Sequence, residues 1–390
     1  MNPALLILNA GSSSLKFALY RAGSADGLHV LHRGLIEEIG REARFRLLHA
    51  ADAENRAVPA ADHEQALQHL LDWLHTRHAN LGLRAAGHRV VHGGADYLHP
   101  VRVDAAVISD LEKLIPLSPL HQPHNLAGIR ALGRLRPDLP QVACFDTAFH
   151  HTLPPRARRF ALPRELEERG IRRYGFHGLS YEHIAGVLPD YLGDTAADRV
   201  VVAHLGNGAS LCALQRGRSV ETSMGFTPLD GIPMASRCGA LDPGVLLYLL
   251  REEGMSTAQL DELLHHRAGL LGVSGISGDV RTLLASDDPR AAEALELFAY
   301  RTAQAIAGHA VALEGLDALV FTAGIGEHTA PVRAAICRHL AWLGLALDEA
   351  ANGRHGPRIS QADSRISAWV IPTDEEKMIA EHVWALTAGP

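Results

Sequence analysis

The chain has 390 residues, 47% hydrophobic and 21% charged, with a formal net charge of −7 at pH 7. That composition provides core for two or three folded domains and excludes disorder, while mild acidity without a basic tract argues against a nucleic-acid binder. Four widely spaced cysteines form no Cys-x-x-Cys pair, so neither zinc nor a disulfide framework is expected, and a reducing, cytoplasmic setting fits.

The first predicted element is a strand at 4–8, which runs into Asn-Ala-Gly-Ser-Ser-Ser-Leu-Lys at 9–16 before a second strand at 17–20. The apolar run lacks a preceding basic segment and stops at Asn9, unlike a signal peptide, and no run approaches the roughly 20 residues that cross a bilayer. Its polar turn offers backbone N–H groups, hydroxyls, an amide and an ammonium, an inventory suited to phosphate, with an ordinary hairpin as the alternative. A helix is predicted over 64–78 from the spacing of Leu67, Leu70, Leu71 and Leu74, with His63, His69, His75 and His78 on solvated faces. Short strands follow at 88–91, ending in His92-Gly93-Gly94, and at 142–145, ending in Asp146-Thr147. Carboxyl ends of strands are where α/β proteins place chemistry.

At 199–214 the strand, glycine-rich turn, strand pattern returns as Val-Val-Val-Ala-His204-Leu205-Gly206-Asn207-Gly208-Ala-Ser210-Leu211, about half the chain after the first copy if Ser14-Leu15 is matched to Ser210-Leu211. Duplicated domains with a nucleotide in the cleft between them are the natural expectation. The strand at 319–321 leads into Thr-Ala-Gly324-Ile325-Gly326-Glu327-His328 and a helix at 332–343, a further anion-binding arrangement. Residues 352–364 read as surface loop, and a last strand at 366–371 leads through Pro372 and Thr373 into a final helix.

With these residues in view, nearly the whole chain resembles the acetate kinase family, including the related propionate kinases. The matching motifs in chain order are residues 9–16, His88-Arg89-Val-Val-His-Gly-Gly94, Pro119-Leu-His121, Phe145-Asp146-Thr-Ala-Phe-His150, Tyr174-Gly-Phe176-His177-Gly178 and His204 to Gly208. They continue with Met224-Gly-Phe-Thr-Pro228, Arg237 with Asp242-Pro243, Asp279-Val280-Arg281, Gly324 to Glu327, and Pro372 to Glu376. The resemblance implies a duplicated ribonuclease-H-like α/β fold shared with actin, sugar kinases and heat-shock ATPases. The expected domains are 1–150 plus about 377–390, and 151–376. It further implies a homodimer, ATP or ADP as substrate, magnesium (or manganese), and reversible phosphoryl transfer to acetate. Two departures stand out: Arg237-Cys238-Gly239-Ala240 where the family commonly has Arg-Ser-Gly-Asp, and His328 where it has Asn.

A small carboxylate is already ionised at neutral pH, so no base is needed; cations and positioning must bring two anions together. By resemblance, Arg89 binds the substrate carboxylate or phosphoryl group, Arg237 neutralises the phosphoryl in flight and His177 stabilises the transition state. His121 is a weaker case in a turn-like segment. Either arginine seen alone would read as a structural salt bridge. Asp146 is expected to orient an arginine or the magnesium shell rather than to move a proton. Asn9 and Glu375 are the implied magnesium contacts, although Glu375 lies where Thr373-x-x-Glu376 also reads as a capping box. Nucleotide binding falls by resemblance to Ser12, Ser14 and Lys16, to His204 through Gly208, to Asp279 through Arg281 and to Gly324 through His328. Val91, Leu120, Phe176 and Pro228 match the family's acyl pocket, and Val91, rather than a smaller residue, favours acetate over propionate. The competing readings are a propionate or butyrate kinase, an actin-like ATP switch, and a hydrolase of phosphate polymers.

Overall fold

The apolar run at 4–8 alternates between two destinations, as a strand covered on both faces must. In the computed structural model, which describes residues 2–23, 27–48, 54–78, 80–193 and 198–388, it lies in β1 (Asn2–Ala10). Ala4, Leu6 and Leu8 join a core with Leu67, Leu70 and Leu74 of the helix His63–Arg77. On the opposite face, Ile7 approaches Gly87, where the helix Glu375–Thr387 presses Ile379 and Val383 against the sheet.

The chain forms two compact units, residues 1–149 with 374–390, and residues 150–373. Unit 1 holds β1, β2 (Leu15–Ala22), β3 (Leu28–Glu37), β4 (Arg44–Leu47), β5 (Asn55–Ala57), β6 (Leu81–Val90), β7 (Val101–Arg102) and β8 (Gln141–Phe145), in the order β5-β4-β3-β2-β1-β6-β8-β7. Unit 2 holds β9 (Arg199–Leu205), β10 (Ala209–Gln215), β11 (Arg218–Thr222), β12 (Ala318–Thr322) and β13 (Ser367–Val370), in the order β11-β10-β9-β12-β13. Both sheets contain one plan: a three-stranded antiparallel meander whose first strand is continued by two parallel strands. That is the ribonuclease-H-like order.

The return to unit 1 comes at Asp374, earlier than the expected 377, because the last helix starts at Glu375 with Asp374 as its N-cap. Asp374 accepts from the Lys377 N–H at 3.0 Å and pairs with Arg33, so Asp374 takes the capping place expected of Thr373. Residues 352–364 are not a plain surface loop either. Their first two residues end the helix Glu349–Gly353, and Asn352, Ile359 and Ser360 are buried. The hairpin copies also align differently: Ala10 pairs with Leu15 and Leu205 with Ala209, which sets Ser210 level with Lys16 and His204 level with Asn9.

Three buried histidines, His88, His150 and His309, have their pKa values pushed by burial from the ordinary 6.5 down to about 4. Below 6.5 the unfolded chain takes up protons that these side chains refuse, so their stabilisation is complete above that pH and declines as pH falls toward 4. Each histidine contributes a slope of up to about 1.4 kcal/mol per pH unit. Thermal melts should therefore shift steeply downward between pH 6.5 and 4; a constant Tm across that window would refute this origin of acid sensitivity.

Candidate functional site

In unit 1 the parallel register of β6 and β8 sets Arg89 beside Cys144 and Val90 beside Phe145, so Asp146, one residue past β8, emerges next to Arg89. Its carboxylate, 2% exposed, grips the guanidinium with both oxygens, taking Nε at 2.9 Å and Nη2 at 2.7 Å. Arg89 Nη1 lies 3.3 Å from Glu375 at the start of the last helix. Burial alone would lower the Arg89 pKa, but Asp146 and then Glu375 outweigh it and hold the guanidinium above its ordinary value. Asn9 and Lys16, cross-strand partners at the hairpin, line a narrow cleft with Arg89, Glu375 and Glu376. Burial, and next the charge of Glu375, raises the Glu376 carboxyl pKa.

The hairpin tip itself is open: Ser12 is exposed and Ser14 half-buried, with the Ser14 carbonyl accepting from Gly11 N–H at 2.9 Å. His63, expected on a solvated face, instead reaches the Gly11 carbonyl with Nε2 at 2.7 Å and braces the turn. His78 likewise departs from that expectation by meeting His32, Nε2 to Nε2, at 2.8 Å. Asn125 ties the end of β1 to Val91, donating to the Ala10 carbonyl at 2.9 Å and accepting the Val91 N–H at 3.0 Å. Leu120 and His121 directly precede the helix Gln122–Leu135, with His121 at its N-cap.

In unit 2 a cavity of about 600 Å³ is lined by Gly206, Asn207, Asp279, Arg281, Gly324 and His328, among others. Three of the four segments expected to hold a nucleotide thus share one wall, together with Val280 and Ile325. Ala235, Ser236, Gly278 and Thr329 also line it, which no sequence pattern singled out. Asp279 N-caps the helix Val280–Leu284 and pairs with Arg281, which lowers its pKa to about 2.

His204, Leu205, Gly326 and Glu327 do not line the cavity. Leu205 and Gly326 are buried in the fold, and Glu327 accepts N–H groups from Ala323 at 2.8 Å and Thr373 at 3.1 Å, bracing the loop from behind. The left-handed residue after β12 is Ala323, φ 63°, rather than a glycine. Beneath this loop the fully buried Arg333 donates to the carbonyls of Gly326 at 2.8 Å and Glu327 at 3.0 Å. A second cavity of about 640 Å³, lined by Ile232, Cys238, Leu241 and Arg301 among others, includes none of the segments expected to hold a nucleotide.

At Gly208 two cationic or donor side chains converge. A Cβ there would lie 3.3 Å from His177 Nε2 and 3.4 Å from Arg237 Nη2, so the absence of a side chain eases a tight approach. Arg237 donates from Nη1 to the Pro228 carbonyl at 2.8 Å, and among the described residues no carboxylate forms an ion pair with it. Burial accordingly lowers its pKa. An arginine so desolvated is a site for an incoming anion.

His177 is the N-cap of the helix Gly178–Leu192 and holds a left-handed φ of 58°, a strained state typical of functional positions. The strain is fixed from behind: His150 Nε2 donates to the Phe176 carbonyl at 3.0 Å, and a Cβ on Gly175, φ 78°, would meet the His150 ring at 2.5 Å. Phe176 is 1% exposed. Of the residues matched to an acyl pocket, Val91 and Leu120 belong to unit 1, Phe176 and Pro228 to unit 2.

A family model described as the acetokinase family matches residues 4–381. The chain is 55% identical over 399 residues to an acetate kinase of Rhodopseudomonas palustris (strain ATCC BAA-98 / CGA009), with 100% of each covered. A solved propionate kinase from Francisella tularensis matches with a TM-score of 0.92 at 37% identity, covering 98% of this chain and 99% of that one. The acetate kinase of Porphyromonas gingivalis matches with a TM-score of 0.88 at 36% identity, over 98% and 99%.

Proposed function

This chain belongs to the acetokinase family, and from that premise we propose that it transfers the γ-phosphoryl group of ATP to acetate, reversibly and by direct in-line displacement, giving acetyl phosphate and ADP. The observation that carries the reading is the convergence of His177 and the desolvated Arg237 on Gly208, in the loop whose Gly206 and Asn207 line the cavity. Phosphoryl transfer leaves little covalent chemistry to the protein, so charge neutralisation and placement are what its residues must supply.

Arg89, oriented by Asp146, would pair with acetate or with phosphoryl oxygens; its planar fork suits oxygen pairs. Asp146 is committed to that guanidinium through both oxygens, which supports an orienting role rather than proton transfer. Arg237 and His177 would meet the transferring phosphoryl. The glycine loops, Asp279 to Arg281 and His328 would hold the nucleotide, and Lys16 with Ser12 and Ser14 would face its phosphates.

Asn9, Glu375 and Glu376 offer hard oxygen donors in one cleft, a set that fits magnesium bound by one or two carboxylates plus substrate phosphates and water. Manganese suits the same donors. When bound, the ion supplies neutralisation of phosphate charge.

The helix Pro243–Arg251 has no buried residue although it carries Val245, Leu247 and Tyr248, an apolar surface that supports a homodimer; a monomeric mass by light scattering would exclude one. Among the described residues no helix is long and apolar enough to cross a membrane. A cytoplasmic site of action accords with four widely spaced cysteines that form no Cys-x-x-Cys pair.

Hydroxamate formation from acid, ATP and hydroxylamine tests the activity. Acetyl hydroxamate is expected, whereas ATP hydrolysis without it would favour a nucleotide switch. The Francisella propionate kinase among the similar structures keeps a longer-chain reading alive. One methylene is worth about 1–3 kcal/mol in such a pocket, so kcat/KM should fall about tenfold or more from acetate to propionate, and the reverse order would reassign the substrate.

A further inference from the structure

We propose that Ser210, backed by Tyr181, is a positioning residue that holds His177 in the tautomer carrying its proton on Nε2. The inference rests on the reading above that His177 meets the transferring phosphoryl. Ser210 lies on β10, opposite His204 on β9, and its Oγ is 2.8 Å from His177 Nδ1. The Tyr181 hydroxyl, from the first turn of the helix that His177 caps, forms a short hydrogen bond to the same Oγ. Both Ser210 and Tyr181 are 0% exposed.

The direction of this chain follows from acidity. A phenol, with an ordinary pKa near 10, is a far better donor than an aliphatic alcohol, so Tyr181 O–H donates to Ser210 Oγ. The Ser210 proton is then left to donate to Nδ1. A neutral imidazole that accepts at Nδ1 carries its hydrogen on Nε2, the nitrogen near Gly208 and Arg237. There it is a donor to a phosphoryl oxygen. The opposite tautomer would turn a lone pair toward that oxygen, repelling the charge it is meant to stabilise.

The ring plane is held as well. His177 stacks on His204 with centroids 4.2 Å apart and planes at 18°. His204 is itself fixed through Nδ1 to Ser180 Oγ at 2.8 Å and onward to Thr373 Oγ1 at 2.8 Å. Adjacent residues Ser180 and Tyr181 therefore serve both rings, and the stack favours one plane for the His177 ring.

The test uses the full-length enzyme with ¹⁵N-labelled histidine, the His177 signals being assigned by difference from His177→Gln. Two-bond ¹H–¹⁵N spectra of the wild type should show the Nε2–H pattern, and Ser210→Ala should shift it toward a tautomer mixture. The same variant should lose about tenfold to a hundredfold in kcat, with KM for ATP and acetate little changed. Ser210→Thr, which keeps the hydroxyl, should restore both readouts. Tyr181→Phe, a one-oxygen change, gives the same test at smaller amplitude if Ser210→Ala does not fold. A wild-type tautomer pattern or a kcat within twofold of wild type in Ser210→Ala would overturn the proposal. Absence of acetyl phosphate formation by the wild-type enzyme would instead overturn the kinase reading, which the spectra do not depend on.

Discussion

Replacing Arg237 with alanine is expected to lower kcat by roughly a thousandfold, the scale of an arginine that stabilises phosphoryl-transfer charge. Nucleotide affinity should change little, because the cavity lined by Gly206, Asn207, Gly324 and His328 is built without this side chain. The size of the effect follows from its setting. Burial removes water from the guanidinium, the Pro228 carbonyl aims one edge of it, and among the described residues no carboxylate neutralises it. Its interaction is therefore reserved for an anion that arrives. Lysine should not rescue, since a point charge cannot reproduce the planar fork. Steady-state kinetics beside calorimetric ATP binding decide the matter: a kcat within tenfold of wild type, or equal losses in kcat and ATP affinity, would remove Arg237 from the transition state.

The second large effect is expected at the Arg89–Asp146 pair. Arg89→Ala should reduce kcat/KM for acetate by a hundredfold or more, and Asp146→Ala should do nearly as much without touching substrate. Without Asp146, Arg89 keeps its contact with Glu375, so the freed guanidinium would compete for the carboxylate proposed to hold the metal. Breaking a buried pair on one side also costs about 3–5 kcal/mol, so Asp146→Ala should lower Tm as well. Asp146→Asn separates positioning from proton transfer. It keeps shape and one acceptor, and its kcat–pH profile should retain the wild-type limbs; a limb that vanishes in Asp146→Asn would restore a proton-transfer role. Double replacement of Arg89 and Asp146 should cost little more than Arg89→Ala alone, because both act as one unit.

Much of the site was legible in residue order because its parts are local. Glycine-rich turns between apolar runs at 9–16 and 204–208 advertise backbone N–H groups whatever the rest of the chain does, and the placement of Arg89 and Asp146 at strand ends follows from short apolar runs that stop in polar residues. Less local features are not legible in that order. Residue identity matches Ser210 to Ser14, whereas the ladders set it level with Lys16, because loop length and cross-strand pairing decide register. Glu327 and Gly326 carry motif residues yet face away from the cavity, since the backbone turns at Ala323 and wraps the motif into the short helix Ala323–His328. His63 reads in sequence as a solvated helical histidine; its bond to Gly11 depends on where the helix His63–Arg77 packs.

The sequence by itself determined the chemistry on offer: duplicated phosphate-type hairpins, two arginines suited to anions, and a histidine among small residues, each set by neighbours within a few positions. Tertiary structure decided how those groups are held. It placed Asp146 against Arg89 across parallel strands, left Arg237 desolvated and bonded to the Pro228 carbonyl, and put Ser210 and Tyr181 behind His177. The physical reason is that a turn or cap is made by adjacent residues, whereas a hydrogen-bond chain through a core exists only once strand register and helix packing have brought distant polar atoms within about 3 Å of one another.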